Sequence, residues 1–330
     1  MWQRPKVSVI IPVYGVEKFI GRCVQSLMKQ TLEEVEYIFV DDASKDRSLE
    51  ILRKTLDLFP ERKEFVTILS HEKNAGLPAA RNTGLKRATG EYIFHCDSDD
   101  FIENNALELL YTAAKKQDAD IVWCDWYLTF EKNERRMCEP SFSTPLEALK
   151  AMLGGRMKFN VWNKFVKRSL YIENNIEFPA GYGMGEDMTM MMLFPHARKV
   201  CHISDALYHY VKTNTAAFSH TISQTNFDAL KYNVERISDY LTAMFGDELK
   251  QEIAFLKLEA KFPLLIMSSD FAFYRLWQQW YPEANYFILK NKNVSLRSRL
   301  VQTCARFHLY GLVWLHYQIV CRFIYGFIYR

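Results

Sequence analysis

Several familiar signals are missing from this 330-residue chain. No G-x-G-x-x-G follows its first predicted strand and no G-x-x-x-x-G-K-[ST] occurs, so neither a Rossmann dinucleotide site nor a P-loop is indicated. Its seven cysteines are odd in number and form no C-x-x-C pair or zinc-ligand spacing, which reads as free thiols in a reducing compartment. The residues ahead of the first strand lack an apolar signal core, so the sequence predicts a cytosolic protein. Acidic residues stop at Glu283, although the net charge of +3 is nearly balanced overall. That balance gives no general preference for a polyanion, and no nucleic-acid-binding fold is recognisable, so nucleic acid is not an expected partner.

With 49% hydrophobic residues the chain can bury a large core. Val7–Pro12, Glu36–Val40, Val66–Leu69, Tyr92–Cys96 and Asp120–Asp125 read as short buried strands, separated by segments with helical spacing at 17–30, 49–59, 77–88 and 106–116. The alternation predicts an α/β fold with a mostly parallel central sheet covered by helices. From Asn226 the pattern is helical, with Phe227, Leu230, Val234, Ile237 and Leu241 on one face, which predicts domains at 1–222 and 223–330.

Carboxylates cluster where strands end. Asp97, Asp99 and Asp100 follow one strand, and Asp41 and Asp42 another, at the edge where open α/β sheets bind ligands. Three carboxylates within four positions repel one another unless a cation sits among them, and hard oxygens suit Mg2+ or Mn2+. The alternatives are ordinary: Ser98 to Asp100 would cap a helix after Phe101, and Asp41 and Asp42 would form a turn. A glycine-rich loop, 178–185, delivers Glu186 and Asp187, which suit acid–base work or the cap of a helix from Met188.

Four stretches in register resemble family 2 glycosyltransferases of the GT-A fold: Val9 to Tyr14, Val40 to Ser44, Asn74 to Gly84, and Gly90 to Asp100. The resemblance implies a nucleotide-sugar donor, a UDP-sugar in most of the family, and a divalent metal, Mn2+ or Mg2+, at a D-x-D motif with Ser98 in its variable middle position. Carried over by position, Pro12, Val13 and Tyr14 would line the nucleoside pocket, and Asp42 would contact the base with Asp41 supporting its loop. Arg81 would lie near the base or diphosphate, Asp97 near the ribose or sugar, and Asp99 would ligate the metal. Trp162-Asn163-Lys164 and Gly185-Glu186-Asp187 are similar to regions that follow the D-x-D motif in the bacterial polysaccharide enzymes of the family. On that resemblance Asp187 is the general base of an inverting transfer to a saccharide or lipid-linked acceptor, Glu186 its acceptor-side neighbour, and His209 or His220 a candidate third metal ligand. A nucleotidyltransferase and a non-catalytic nucleotide-binding scaffold are the rival functions.

The tail is a separate matter. Between Val294 and Arg330 five arginines are interleaved with aromatic and aliphatic residues, and the uncharged run 307–321 is too short to span about 30 Å of hydrocarbon. Peripheral contact with the inner face of a membrane is expected, against a buried helix or an oligomer interface.

Overall fold

The computed structural model describes residues 4–214 and 223–328. It divides into two compact units, one of residues 1–148 and 159–233, the other of 149–158 and 234–330. The second unit therefore takes in 149–158 with most of the predicted helical region, while 223–233 belong to the first.

The first unit is built on a nine-stranded sheet. Its strands are β1 (Val7–Val13), β2 (Val35–Asp41), β3 (Val66–Ser70), β4 (Tyr92–His95), β5 (Phe101–Ile102), β6 (Ile121–Thr129), β7 (Glu134–Met137), β8 (Lys164–Lys167) and β9 (Val200–Val211). The order is β3-β2-β1-β4-β8-β6-β9-β5, with β7 paired to β6. β3, β2, β1 and β4 are mutually parallel, as are β6 and β9, whereas β8 runs antiparallel to both its neighbours. The sheet is thus mostly parallel, as expected, with short antiparallel pairings at β5, β7 and β8. The helices α1 (Ile20–Met28), α2 (Ser48–Leu56), α3 (Leu77–Arg87) and α4 (Ala106–Gln117) complete the alternation. Every residue of β1 is buried, as its unbroken β-branched run requires of a strand covered on both faces.

Strand order sets the site. The chain steps outward from β1 to β2 and β3, then returns to the other side of β1 for β4, so the order reverses between β1 and β4. Crevices at such reversals lie outside the carboxyl ends of the strands. Pro12 to Tyr14 and Asp97 to Asp99 leave the sheet there. Antiparallel insertion of β8 against β4, with Phe94 opposite Phe165, brings the loop before Lys164 to the same edge.

Glycine permits one close approach. An added Cβ at Gly84 of α3 would sit 2.4 Å from the Ile10 side chain of β1, so the helix lies on the strand only because that atom is absent. Gly84→Ala is expected to cost about 1–3 kcal/mol by overpacking, read as a lower urea midpoint.

One local expectation changes. Phe101–Ile102 is not a helix start but β5, paired with β9, and α4 begins at Ala106, so Ser98 to Asp100 cap no helix. The charged stretch 131–136 ends in β7, a hairpin partner of β6. Beyond β7 the first unit carries α6 (Arg168–Glu173) and α7 (Met190–Leu193), while α5 (Pro145–Leu153) and α8 (Gln224–Phe245) each run from one unit into the other.

The second unit continues with α9 (Lys250–Lys261), α10 (Pro263–Ile266), α11 (Phe271–Gln279), α12 (Leu296–Arg306) and α13 (Tyr310–His316), followed by a π-helical stretch, Tyr317–Ile328. Its core includes the buried Lys261, whose ammonium donates to Trp280 O at 2.6 Å and Asn285 Oδ1 at 2.6 Å and lies over the Trp277 ring. Burial lowers its pKa to about 7. Among the described residues, no helix is long and apolar enough to cross a membrane.

Candidate active site

The loops at the β1/β4 edge converge on Arg81. This residue lies in the first half of α3, which approaches the sheet closely at Gly84, and its side chain is 1% exposed. Nη2 donates to Asp97 Oδ1 at 2.9 Å; Nη1 donates to Asp187 Oδ1 at 2.8 Å and to Glu186 Oε1 at 3.1 Å. One cation thus gathers a carboxylate from the end of β4 and two from beyond the glycine-rich loop. The Asp97 and Asp187 side chains retain 24% and 21% exposure, so the carboxylates face outward and the guanidinium stands behind them.

Three carboxylates around one guanidinium leave excess negative charge in a poorly hydrated place. Burial, reinforced by Asp187, raises the Glu186 carboxyl to about 8, and burial raises Asp187 as well, against the pull of Arg81. The backbone N–H of Val161 also donates to the Asp187 carboxylate. Glu186–Thr189 forms a 3-10 turn running into α7, with neither carboxylate capping it. Gly185 enters that turn at φ +86°, a conformation that favours glycine, and so sets the direction of both acids. The preceding loop is anchored by Asn82, whose side chain exchanges two 2.8 Å hydrogen bonds with the Phe178 backbone.

The D-x-D stretch has divided roles. Ser98 is buried, and Asp100 is a structural anchor, accepting from Tyr208 Oη at 2.8 Å and Val211 N at 2.7 Å. Asp99 accepts from Asn214 Nδ2 at 2.8 Å, and its carboxyl is raised first by burial and then by Asp97. Tyr208 also accepts from the Asp97 backbone N–H at 3.0 Å, so β9 fixes the loop from below. Among the described residues, no group of three or more His, Cys, Asp or Glu is placed to hold a metal ion. His209 is not beside Asp99: its nitrogens meet Glu134 at 2.8 Å and Glu103 at 3.0 Å, and its ring stacks on Phe101 and Tyr127. His220 lies outside the described residues.

At the neighbouring strand end, Asp42 is held by His71 at 2.7 Å and by the N–H groups of Ala75 and Gly76 at 2.7 and 2.8 Å. Asp41 accepts from Ser44 N at 3.1 Å, a local turn that fixes the loop after β2. Pro12 and Val13 are buried, whereas Tyr14 is 51% exposed at the mouth of the crevice. Trp162, Asn163 and Lys164 are all buried. Trp162 stacks on Tyr208 at 4.4 Å, Asn163 donates to Cys124 O, and Lys164 donates to Asn163 Oδ1 at 2.7 Å. They brace the loop that carries Val161, with the Lys164 ammonium in the field of Asp187.

Sequence reasoning missed His71, Tyr208, Asn214 and the Val161 N–H. Nothing in the local pattern singles these groups out, because each meets the site only through long-range pairing.

A sheet with acidic loops at a reversal of strand order defines a ligand-binding α/β architecture, here of the GT-A type. The model of the family "Glycosyl transferase family 2" matches residues 8–179, and the chain belongs to that family. EpsJ of Bacillus subtilis (strain 168), an uncharacterized glycosyltransferase, is 33% identical over 62% of this chain and 61% of its own. This chain thus matches about three fifths of that relative's length. Glycosyltransferase GlyG of Streptococcus pneumoniae is 31% identical over 67% of this chain and 74% of its own. The fold is shared with S. aureus TarS residues 1–349, solved in complex with UDP-GlcNAc, at a TM-score of 0.64 and 19% identity, covering 95% of this chain and 91% of that one.

Proposed function

We propose that this chain is an inverting glycosyltransferase that moves a sugar from a UDP-sugar to a hydroxyl of a saccharide or lipid-linked acceptor in surface polysaccharide synthesis, acting on the cytoplasmic side. The observation that carries the proposal is the Arg81 cluster. It ties Asp97, on the loop that would meet the donor, to Asp187, on the loop that would meet the acceptor, within a single guanidinium. Family membership supports the chemistry, and the UDP-sugar complex of TarS supports the donor class.

In the proposed reaction the acceptor oxygen attacks the anomeric carbon from the face opposite the diphosphate. A C–O bond forms, the bond from anomeric carbon to phosphate oxygen breaks, and UDP leaves with the electron pair. Asp187 takes the acceptor proton. Burial raises its carboxyl and so increases its basicity, while Arg81 and the Val161 N–H hold it in place. Burial and Asp187 push the Glu186 carboxyl up to about 8, which favours its neutral form and so lessens its repulsion of Asp187.

A divalent cation fits Asp99. The Asp99 carboxyl is raised by burial and by Asp97, a condition that a nearby cation would relieve, and its oxygens are hard donors. Mg2+ and Mn2+ sites of this sort need one or two protein carboxylates, with the substrate's phosphates and water as the other ligands. When bound, the metal would neutralise charge on the departing diphosphate.

Calorimetry with UDP, GDP and CDP, with and without Mn2+, tests the donor site. UDP should bind in preference to the others and depend on Mn2+, and Asp99→Ala should weaken it by roughly tenfold or more, ~1.4 kcal/mol. Folded protein that binds no nucleotide would sink the reading.

A further inference from the structure

The C-terminal helices of the second unit present an apolar surface that neither the fold nor the proposed reaction uses. On α12, Val301 and Ala305 are buried and form the inner stripe, while Leu296, Leu300 and Phe307 recur at spacings of four and seven on the outside. On α13 and its continuation, Val313 is buried and Leu312, Leu315 and Ile319 point outward. These six side chains are 46% to 62% exposed. An exposed apolar surface of this kind marks an interaction site.

Charge selects the partner. No acidic residue follows Glu283, while Lys290, Lys292, Arg297 and Arg322 are exposed on the same unit and Arg299 and Arg306 lie partly exposed along α12. A second copy applied symmetrically through this face would set those cations against their own images. A bilayer with anionic headgroups offers the complement: acyl chains for the leucines, phosphates for the arginines. Tyr310, Trp314 and Tyr317 are side chains suited to the interfacial layer, with an apolar body and a polar tip. No described helix is long and apolar enough to cross, so the contact is parallel to the surface.

We propose that the face formed by α12, α13 and the following helical stretch docks on an anionic lipid bilayer, lying in its interface without crossing it. The docking stands apart from the donor-site reading and survives if that reading fails.

The full chain is sedimented with vesicles of phosphatidylcholine alone and of phosphatidylcholine mixed with phosphatidylglycerol. Binding is expected to the anionic vesicles only, and to fall severalfold on raising salt beyond the screening range. A Leu300→Asn/Leu312→Asn variant should lose most of that binding, and an Arg297→Gln/Arg322→Gln variant most of its salt dependence. The substituted leucines are exposed, so both should keep the wild-type circular dichroism spectrum. Absence of binding at low salt, or binding unaltered in the leucine variant, overturns the proposal. So does light scattering that finds a wild-type dimer which the leucine variant splits into monomers, since the face would then join two copies of the chain.

Discussion

Asp187→Asn is expected to lower kcat by roughly 10²–10⁴-fold, the usual contribution of a positioned general base, while UDP affinity stays within about twofold of wild type, about 0.4 kcal/mol. Asparagine keeps the shape and one acceptor oxygen for Arg81 Nη1 but cannot take a proton. The split between lost turnover and retained nucleotide binding separates a base from a residue that merely holds the donor loop. The wild-type pH profile is a second readout. Burial raises the Asp187 carboxyl, so the acid limb of kcat/KM should lie above the ordinary aspartate range, with activity rising as the proton leaves. A variant that turns over at the wild-type rate would remove Asp187 from the chemistry and leave the Arg81 cluster a purely structural device.

Arg81→Ala should destabilise the first unit by roughly 3–5 kcal/mol, because it strands Asp97, Glu186 and Asp187 without their shared cation. The deficit should depend on pH. A carboxyl whose folded-state pKa is raised contributes stability that is fully present below its unfolded value and is lost as pH rises through the folded value. For Glu186 in the wild type that window runs up to about 8. Without the guanidinium, which lowers both Glu186 and Asp187, the carboxyls move further up. Urea unfolding should therefore show a gap between variant and wild type that is wide near about pH 9 and narrower near about pH 6, below the Glu186 value of about 8, where that acid is mostly protonated. Arg81→Lys should fall between the two, since an ammonium carries the charge but lacks the planar fork that spans three carboxylates. A gap independent of pH would mean that packing around α3, and not charge, is what Arg81 supplies.

Much of the first unit was legible because its strands are short apolar runs and its helices have apolar faces, both local patterns. Val7–Val13 and Val35–Asp41 were found this way to within a residue or two of their ends. β8 escaped because Lys164 to Lys167 is too short and too polar at its ends to read as a strand, and the antiparallel insertion between β4 and β6 is a matter of long-range pairing. β5 escaped for the same reason: two residues have no periodicity, and Phe101–Ile102 is a strand only because Tyr208 and His209 lie beside it.

Sequence by itself determined the alternating α/β order, the acids at the strand ends and the family, because strand-end carboxylates and motif spacing are properties of neighbouring residues. Tertiary structure decided how those acids are used. Asp100 became an anchor for β9 while Asp99, next to it, stayed partly exposed and paired with Asn214; Trp162 and Lys164 went into the core; and Arg81 became the cation that joins Asp97 to Asp187 across 90 residues of chain. Burial and the sharing of one guanidinium by three acids arise only when distant loops meet, and no local pattern encodes such a meeting.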